Sequence, residues 1–264
     1  MADISAKDVQ SLRKSTGVGM LDAKRALIEN DGDIDKATVW LREQGISSAA
    51  KRNDREASQG AVTAIRENGA AAIVELRCET DFVAKSAEFV SLVDEMTAKV
   101  CAEGPGAAES FAAKIDELRT TLKENISVGQ VVYLKATEGQ VLDTYVHLQA
   151  DRGVNAVIVQ LEGGTEETAH DIAVHVAFAR PEFARREEVP ADQVAAERAT
   201  IENISRNEGK PEAAMEKIIE GRLNGWYKDR VLLEQSYVKD EKKSIADLLG
   251  SATLVSFAQV IIGG

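Results

Sequence analysis

Cys78-Glu79-Thr80-Asp81-Phe82-Val83-Ala84 joins a stretch that reads as a buried strand, Ala71 to Leu76, to one that reads as a long amphipathic helix, Ala87 to Glu103. A connection of this kind usually hides its large apolar groups or does without them. Here Phe82 and Val83 stand beside an acid, in the first turn of a short helical piece that Thr80 can cap. Two readings follow. In one, Thr80 and Asp81 only start a helix and Phe82 is core. In the other, Phe82 is an apolar wedge presented at a loop tip, where function tends to concentrate. The seven residues by themselves leave both open.

Working outward, the strand before this stretch belongs to a hairpin. Ala61–Ile65 and Ala71–Leu76 flank Glu67-Asn68-Gly69, and Asn-Gly is a strong short turn signal. After it, Ser86 caps a helix whose Phe89, Leu92, Val93, Met96 and Val100 recur at helical spacing and mark one buried face. Gly104-Pro105-Gly106 ends that helix, and Phe111, Ile115, Leu118 and Leu122 outline another. A second hairpin is expected where Val131–Leu134 and Val141–Val146 flank Glu138-Gly139. Val154 to Leu161 then reads as a buried strand, and Thr165 caps a helix carrying Ile172, Val174, Val176 and Phe178 before Pro181. Two hairpin-plus-helix units in succession predict an α+β fold with a core in two related parts, residues 60–135 and 136–264, each an antiparallel sheet packed with helices.

Within the second part, residues 191–226 are expected to form an antiparallel helical hairpin. Val194, Ala195, Ile201 and Ile204 lie on its first helix and Met215, Ile218, Ile219, Leu223 and Trp226 on its second, joined at Asn207–Pro211. Its apolar stripe closes the hairpin on itself, faces solvent or faces a second copy. Leu232 to Val238 reads as irregular or extended, Ser244 caps a short helix, and Leu254–Ile261 reads as a strand returning to the second sheet.

At the other end, residues 1–45 read as three short helices. Ser5 caps the first, which carries Val9 and Leu12 on its apolar side; Thr16-Gly17-Val18-Gly19 breaks it. The second runs from Met20 to Glu29, and Asp33 caps a third that Gly45 is expected to stop. A bundle this small is marginal alone. It resembles ubiquitin-associated domains, which present a helix-loop surface to a partner, and it reads equally well as a structural cap. Residues 46–59 read as a polar linker, where Lys51, Arg52 and Arg55 are interrupted by Asp54 and Glu56 and so make a solvated segment rather than a phosphate site.

Composition narrows the function. A net charge of −12 argues against a general binder of nucleic acid or anionic membrane, since both need basic surface. No apolar run approaches a membrane span, and Met1-Ala2-Asp3-Ile4 lacks the basic and apolar regions of a signal peptide. With two cysteines, Cys78 and Cys101, in no disulfide-scaffold spacing, a reduced, cytoplasmic chain is expected. His147, His170 and His175 form no metal pattern, and Gly17-Val18-Gly19 lacks the third glycine and preceding strand of a dinucleotide site. Neither a phosphate-binding Gly-x-x-x-x-Gly-Lys-Ser/Thr loop nor a Gly-x-Ser-x-Gly elbow occurs. No cofactor, metal or catalytic site of its own is expected.

Three stretches together resemble the translation elongation factor Ts family, guanine-nucleotide exchange factors for elongation factor Tu. They are Leu12-Arg13 with Thr16 to Leu27; Glu79-Thr80-Asp81-Phe82-Val83-Ala84; and Glu220-Gly221-Arg222-Leu223 followed by Leu232 to Val238. The resemblance covers essentially the whole chain and favours the wedge reading of Phe82. It implies that the N-terminal helices are the family's ubiquitin-associated-like domain, whose Leu12, Val18, Gly19 and Met20 region touches the partner's nucleotide-binding domain. It implies that Thr80, Asp81, Phe82 and Val83 form the segment that dislodges magnesium, with the aromatic ring intruding between two helices of the partner near the nucleotide phosphates. It matches His147 to a position that meets a different domain of the partner, although Leu148-Gln149-Ala150-Asp151 stands where relatives often carry a glycine-rich turn. The expected partner is elongation factor Tu, GDP-bound and nucleotide-free, with no direct nucleic acid and no membrane. Self-association is left open, because the role of the helical hairpin varies among relatives.

Overall fold

The computed structural model describes residues 4–16, 18, 20–52 and 56–263, apart from the side chains of 44–52. Three helices come first, α1 (Ala6–Thr16), α2 (Met20–Glu29) and α3 (Ile34–Arg52). Strands β1 (Gln59–Glu67) and β2 (Ala70–Cys78) follow, then a single turn of helix, α4 (Asp81–Ala84), then α5 (Ala87–Glu103). A 3-10 segment leads into α6 (Ala112–Leu122) and β3 (Ser127–Lys135). The second half runs β4 (Gln140–Gln149), β5 (Arg152–Glu162), α7 (Glu166–Ala179), α8 (Ala191–Asn207) and α9 (Met215–Arg230). It closes with β6 (Ser236–Tyr237), β7 (Asp240–Ser244), α10 (Ile245–Leu249) and β8 (Thr253–Ile261).

Two three-stranded antiparallel sheets form, in the orders β1-β2-β3 and β4-β5-β8. In both, the major helix is inserted between the middle and the third strand, so the halves share one topology. Successive side chains of a strand point to opposite faces. Ala72, Val74 and Leu76 therefore pack with Phe89, Val93, Met96 and Val100 of α5, while Ala71 and Ile73 point the other way, into a cluster with Leu142, Ala156 and Ile158 of the second sheet. Val157, Val159 and Leu161 face onward to Ile172, Ala173 and Val176 of α7. The result is four layers, α5, sheet, sheet and α7, with β2 and β5 buried on both faces. That double burial is why these strands read as nearly unbroken apolar runs rather than as alternating ones.

Two charges, Glu75 and Arg77, interrupt β2. Glu75 is buried, and its carboxylate accepts hydrogen bonds from Arg77 Nε (2.8 Å), Arg77 Nη2 (3.0 Å) and the Gln130 amide (2.8 Å). Gly129 leaves the room it needs, since a Cβ there would lie 2.1 Å from Glu75 Oε2.

The turn at Glu138-Gly139 corrects one expectation. It does not close a hairpin: β3 pairs with β2, and β4 pairs with β5, so residues 136–139 hand the chain from one sheet to the other. The reason lies in β3 itself. Val131 and Tyr133 pack toward α5 while Val132 and Leu134 pack between the sheets, so the strand has two apolar faces that only a place beside β2 covers. The hairpin of the second half is β4–β5, closed by Ala150 and Asp151 with φ of 52° and 61°. Asn68 and Gly69 close β1–β2 in the same left-handed pair, φ 51° and 73°, the conformation that favours Asn-Gly.

Other differences are smaller. The third helix does not stop at Gly45 but continues to Arg52, through part of the expected linker; residues 53–55, and the side chains of Lys51 and Arg52, lie outside the described residues. A lone glycine lowers helix stability by about 1 kcal/mol without ending a helix. The two-stranded ladder β6–β7 has no counterpart in the sequence reading at Asp240–Ser244, whose exposed polar side chains give no strand pattern. In the α8–α9 hairpin, Ile201, Met215, Ile219 and Leu223 pack together with Val194 and Trp226, so most of the stripe closes the hairpin on itself, while Ile204 is exposed. Ser244 and Asp247 form a reciprocal capping box on α10, and β8 returns to the second sheet beside β5.

Gly153, in β5, marks a close approach of the two sheets. A Cβ there would lie 1.9 Å from the Val62 carbonyl oxygen of β1 and 2.8 Å from Val146 Cγ1. Gly153→Ala should therefore lower the unfolding free energy by about 1–3 kcal/mol, read as a lower urea midpoint at unchanged m-value.

Candidate partner-binding surface

β2 ends at Cys78, which is fully buried; burial, with the nearby Glu124 carboxylate, pushes its thiol up to about 12. It is a protonated structural group whose Sγ lies 3.2 Å from the Thr80 carbonyl oxygen. Thr80 is extended (φ −120°, ψ 153°) and its hydroxyl accepts from the Val83 amide at 3.4 Å, starting α4. One turn of helix then splits its residues by face. Val83 and Ala84 are buried in the core under α5, whereas Phe82 points outward and is 83% exposed. Asp81 Oδ2 lies 2.5 Å from Lys85 Nζ, and that hydrogen bond holds its carboxyl below the usual carboxylate range.

The loop rests on the chain that follows α6. The Glu124 carboxylate accepts hydrogen bonds from the Glu79 amide (3.1 Å), the Thr80 amide (3.0 Å) and the Thr80 hydroxyl (2.5 Å). In return the Glu79 carboxylate accepts from the Asn125 amide at 2.6 Å. The neighbouring Lys123 reaches Asp22 of α2 at 3.0 Å. Residues 123–125 thus stand between the start of α2 and the Thr80–Val83 turn, and bring two of the three expected contact regions side by side.

Within the N-terminal region the candidates divide. Met20 is half exposed and its neighbour Leu21 is 83% exposed. Val18 is partly buried against the module's core, and Gly19 lies outside the described residues. Leu12 departs from the expected contact role: it is completely buried among Val9, Ala23, Ala26 and Leu27. Its spacing from Val9 already places it on the inner side of α1, so it shapes the module rather than touching a partner.

His147 stands apart, exposed near the end of β4, with Tyr145 Oη 3.4 Å from its Nδ1. It lines a groove of about 650 Å³ with Tyr145, Asn155, Val174 and Phe178. Phe178 is 77% exposed and does not join Ile172 and Val176 on the buried face of α7. Alternate residues on a helix lie about 200° apart, so the run Ile172, Val174, Val176 and Phe178 could not share one face. His170 pairs with Asp143 at 2.7 Å, while His175 is buried against Gln235, and burial holds its pKa below the ordinary imidazole value. Among the described residues no three His, Cys, Asp or Glu side chains are grouped so as to hold a metal ion, and no helix is long and apolar enough to cross a membrane.

The sequence reading passes over Glu124, Leu21 and Phe178 as exposed or positioning groups. The last two carry a usable signal, a large apolar residue off the buried stripe of its helix. Glu124 carries none, since a carboxylate after a helix is an ordinary surface charge until the loop it meets is known. The face split of α4 predicts opposite stability effects for neighbours. Phe82→Ala should stay within about 0.5 kcal/mol of the parent, and Val83→Ala should lose about 1.5 kcal/mol, both measured by urea unfolding.

Residues 79–264 match the family model for Elongation factor TS, which begins at the Glu79 end of this loop. The chain is 44% identical to Elongation factor Ts of Clavibacter michiganensis subsp. michiganensis and 41% identical to that of Kineococcus radiotolerans, with all of each chain covered. To Elongation factor Ts of Lactiplantibacillus plantarum it is 41% identical over 95% of this chain and 88% of that one. The family model takes in α4 and everything after it, and the full-length relatives extend the match across the three N-terminal helices; the chain belongs to the elongation factor Ts family.

Proposed function

We propose that the protein is the guanine-nucleotide exchange factor for the translational GTPase elongation factor Tu, acting in the cytoplasm. Nucleotide exchange on that partner is the role the family carries. In the finer reading, the protein binds the GDP-bound form, inserts the Asp81–Phe82 loop to disturb the magnesium and phosphate site, and releases GDP. The nucleotide-free complex then takes up GTP. The observation that supports the loop's part is the outward ring of Phe82, 83% exposed on a turn whose other apolar residues are buried.

The magnitudes make this workable. A guanine nucleotide is held largely by its phosphates, with magnesium neutralising their charge and loops ordered around both. Burying one aromatic ring gains roughly 2–3 kcal/mol, and a hot-spot residue can reach about 4 kcal/mol. If that energy is available only when the phosphate-binding loops are displaced, it acts against nucleotide affinity. About 4 kcal/mol of coupling speeds release on the order of a thousandfold. The coupling is reciprocal, so incoming nucleotide expels the factor. Thr80 starts the turn, Val83 anchors it, and Asp81 brings a negative charge toward the phosphates.

The surface around Met20 and Val18 would hold the partner's nucleotide-binding domain, and His147 would meet a second domain. Leu12 supports the first of these from inside. No cofactor or metal of the protein's own takes part, and its work consists of binding alone, with no covalent bond made or broken and no nucleic acid or membrane engaged.

Stopped-flow release of fluorescent GDP from elongation factor Tu tests the reading. Phe82→Ala should slow release at saturating factor at least tenfold; an unchanged rate refutes the wedge. Removing the residues before Gly60 should raise the concentration needed for half-maximal release while the remaining core still unfolds cooperatively. A core that collapses on this truncation would show the helical module to be structural instead.

A further inference from the structure

We propose that Glu124 is a positioning residue for exchange, holding the turn of Phe82 in the stance from which its ring enters the partner; the inference rests on the exchange reading above. α4 has four residues, too few to persist as a helix without outside support. Its own charge pair, Asp81–Lys85, is exposed and contributes little to order. Ser86 and Cys78 bond the carbonyls of Val83 and Thr80, and Val83 and Ala84 give the turn a buried footing, while the acceptor for its leading amides meets the loop on its other side. Glu124 supplies that acceptor with both oxygens: Oε2 takes the amides of Glu79 and Thr80, and Oε1 takes the Thr80 hydroxyl, the group that caps α4. Hydrogen bonds to a carboxylate are about twice as strong as neutral ones, and this one is half-buried.

The carboxylate is itself aimed. Lys123 closes α6 in the left-handed region, φ 60°, turning the chain so that Glu124 leaves toward the loop. Two residues later Ile126 is fully buried under α5 and fixes the far side. The Asn125 amide donates back to Glu79, so strand end and helix end are tied in both directions. The exposed Lys123–Asp22 pair does not carry this tie, because a bridge between exposed charges is weak and screened.

A residue that merely stabilises the fold would act on release in any background. A residue that acts through the ring would act only when the ring is present. The experiment is GDP release from elongation factor Tu, as a function of factor concentration, for Glu124→Ala and Glu124→Gln, each alone and each combined with Phe82→Ala. Alone, Glu124→Ala should lower the maximal rate about tenfold, as expected for loss of a charge-assisted hydrogen bond, while moving the half-saturating concentration less than about twofold. Glu124→Gln keeps one carbonyl oxygen for the two amides and turns its NH2 to the Thr80 hydroxyl, and should stay within about threefold of the parent. In the Phe82→Ala background, neither variant should slow release further.

Equal slowing in both backgrounds overturns the proposal, and so does an unchanged rate for Glu124→Ala while Phe82→Ala is slow. If Phe82→Ala itself releases GDP at the parent rate, the wedge reading fails instead, and the two failures are told apart. Where Glu124→Ala does not fold by thermal unfolding, Glu124→Asp replaces it. One methylene shorter, it withdraws the carboxylate from the loop and should slow release only with Phe82 present.

Discussion

Two strands with no exposed face hold this molecule together, and the site inherits its geometry from one of them. β2 packs against α5 on one side and the second sheet on the other. Most of its length is apolar both ways, so hydrophobicity alone would not fix its register. Glu75 does: buried, it carries Arg77 with it on the same strand, but its carboxylate meets the Gln130 amide of β3 and the space cleared by Gly129 in one alignment only. A slip by one residue would take the buried carboxylate away from the Gln130 amide and from the room at Gly129, which costs about 1–3 kcal/mol for the unmet buried acceptor. Cys78 is therefore delivered to one place, and the turn that starts at Thr80 leaves a fixed base.

From that base the protein keeps a phenyl ring in water. Leaving Phe82 outside forgoes roughly 2–3 kcal/mol that burial would supply, on a turn whose next two residues are in the core. Such an arrangement is stable only where the surroundings determine the turn from both sides, and here the core holds Val83 and Ala84 while Glu124 holds Glu79 and Thr80. Order before contact matters for a residue that must deliver binding energy to a partner's displaced loops, since any ordering done at the encounter subtracts from what is delivered.

The second sheet repeats the plan with different ends. β5, like β2, is buried on both faces, and α7 fills the place of α5. Its hairpin closes through Ala150 and Asp151, both in left-handed conformation, and beside it His147, Leu148 and Phe178 are left exposed. The α8–α9 hairpin packs Ile201, Met215, Ile219 and Leu223 within itself and leaves Ile204 of α8 exposed.

Local chemistry in the sequence determined much of this. Asn68-Gly69 specified a hairpin because few other pairs take two left-handed residues in a row; Thr80, Ser86 and Thr165 specified helix starts because their hydroxyls accept otherwise unpaired amides. The period of Phe89, Leu92, Val93, Met96 and Val100 specified which side of α5 is inside. The motif around Phe82 was legible as a family resemblance, and its ring could be read locally as either core or wedge. Only the tertiary structure decided that β3 leaves Glu138-Gly139 to pair with β2, because strand pairing depends on which distant surface can cover both faces. Only it placed Leu12 inside, turned Phe82 outward, and set Glu124 beneath the loop, 44 residues on from Thr80. A hydrogen bond between groups so far apart in the chain leaves no periodicity and no spacing to read; it exists once the sheet and α5 have brought the two ends together.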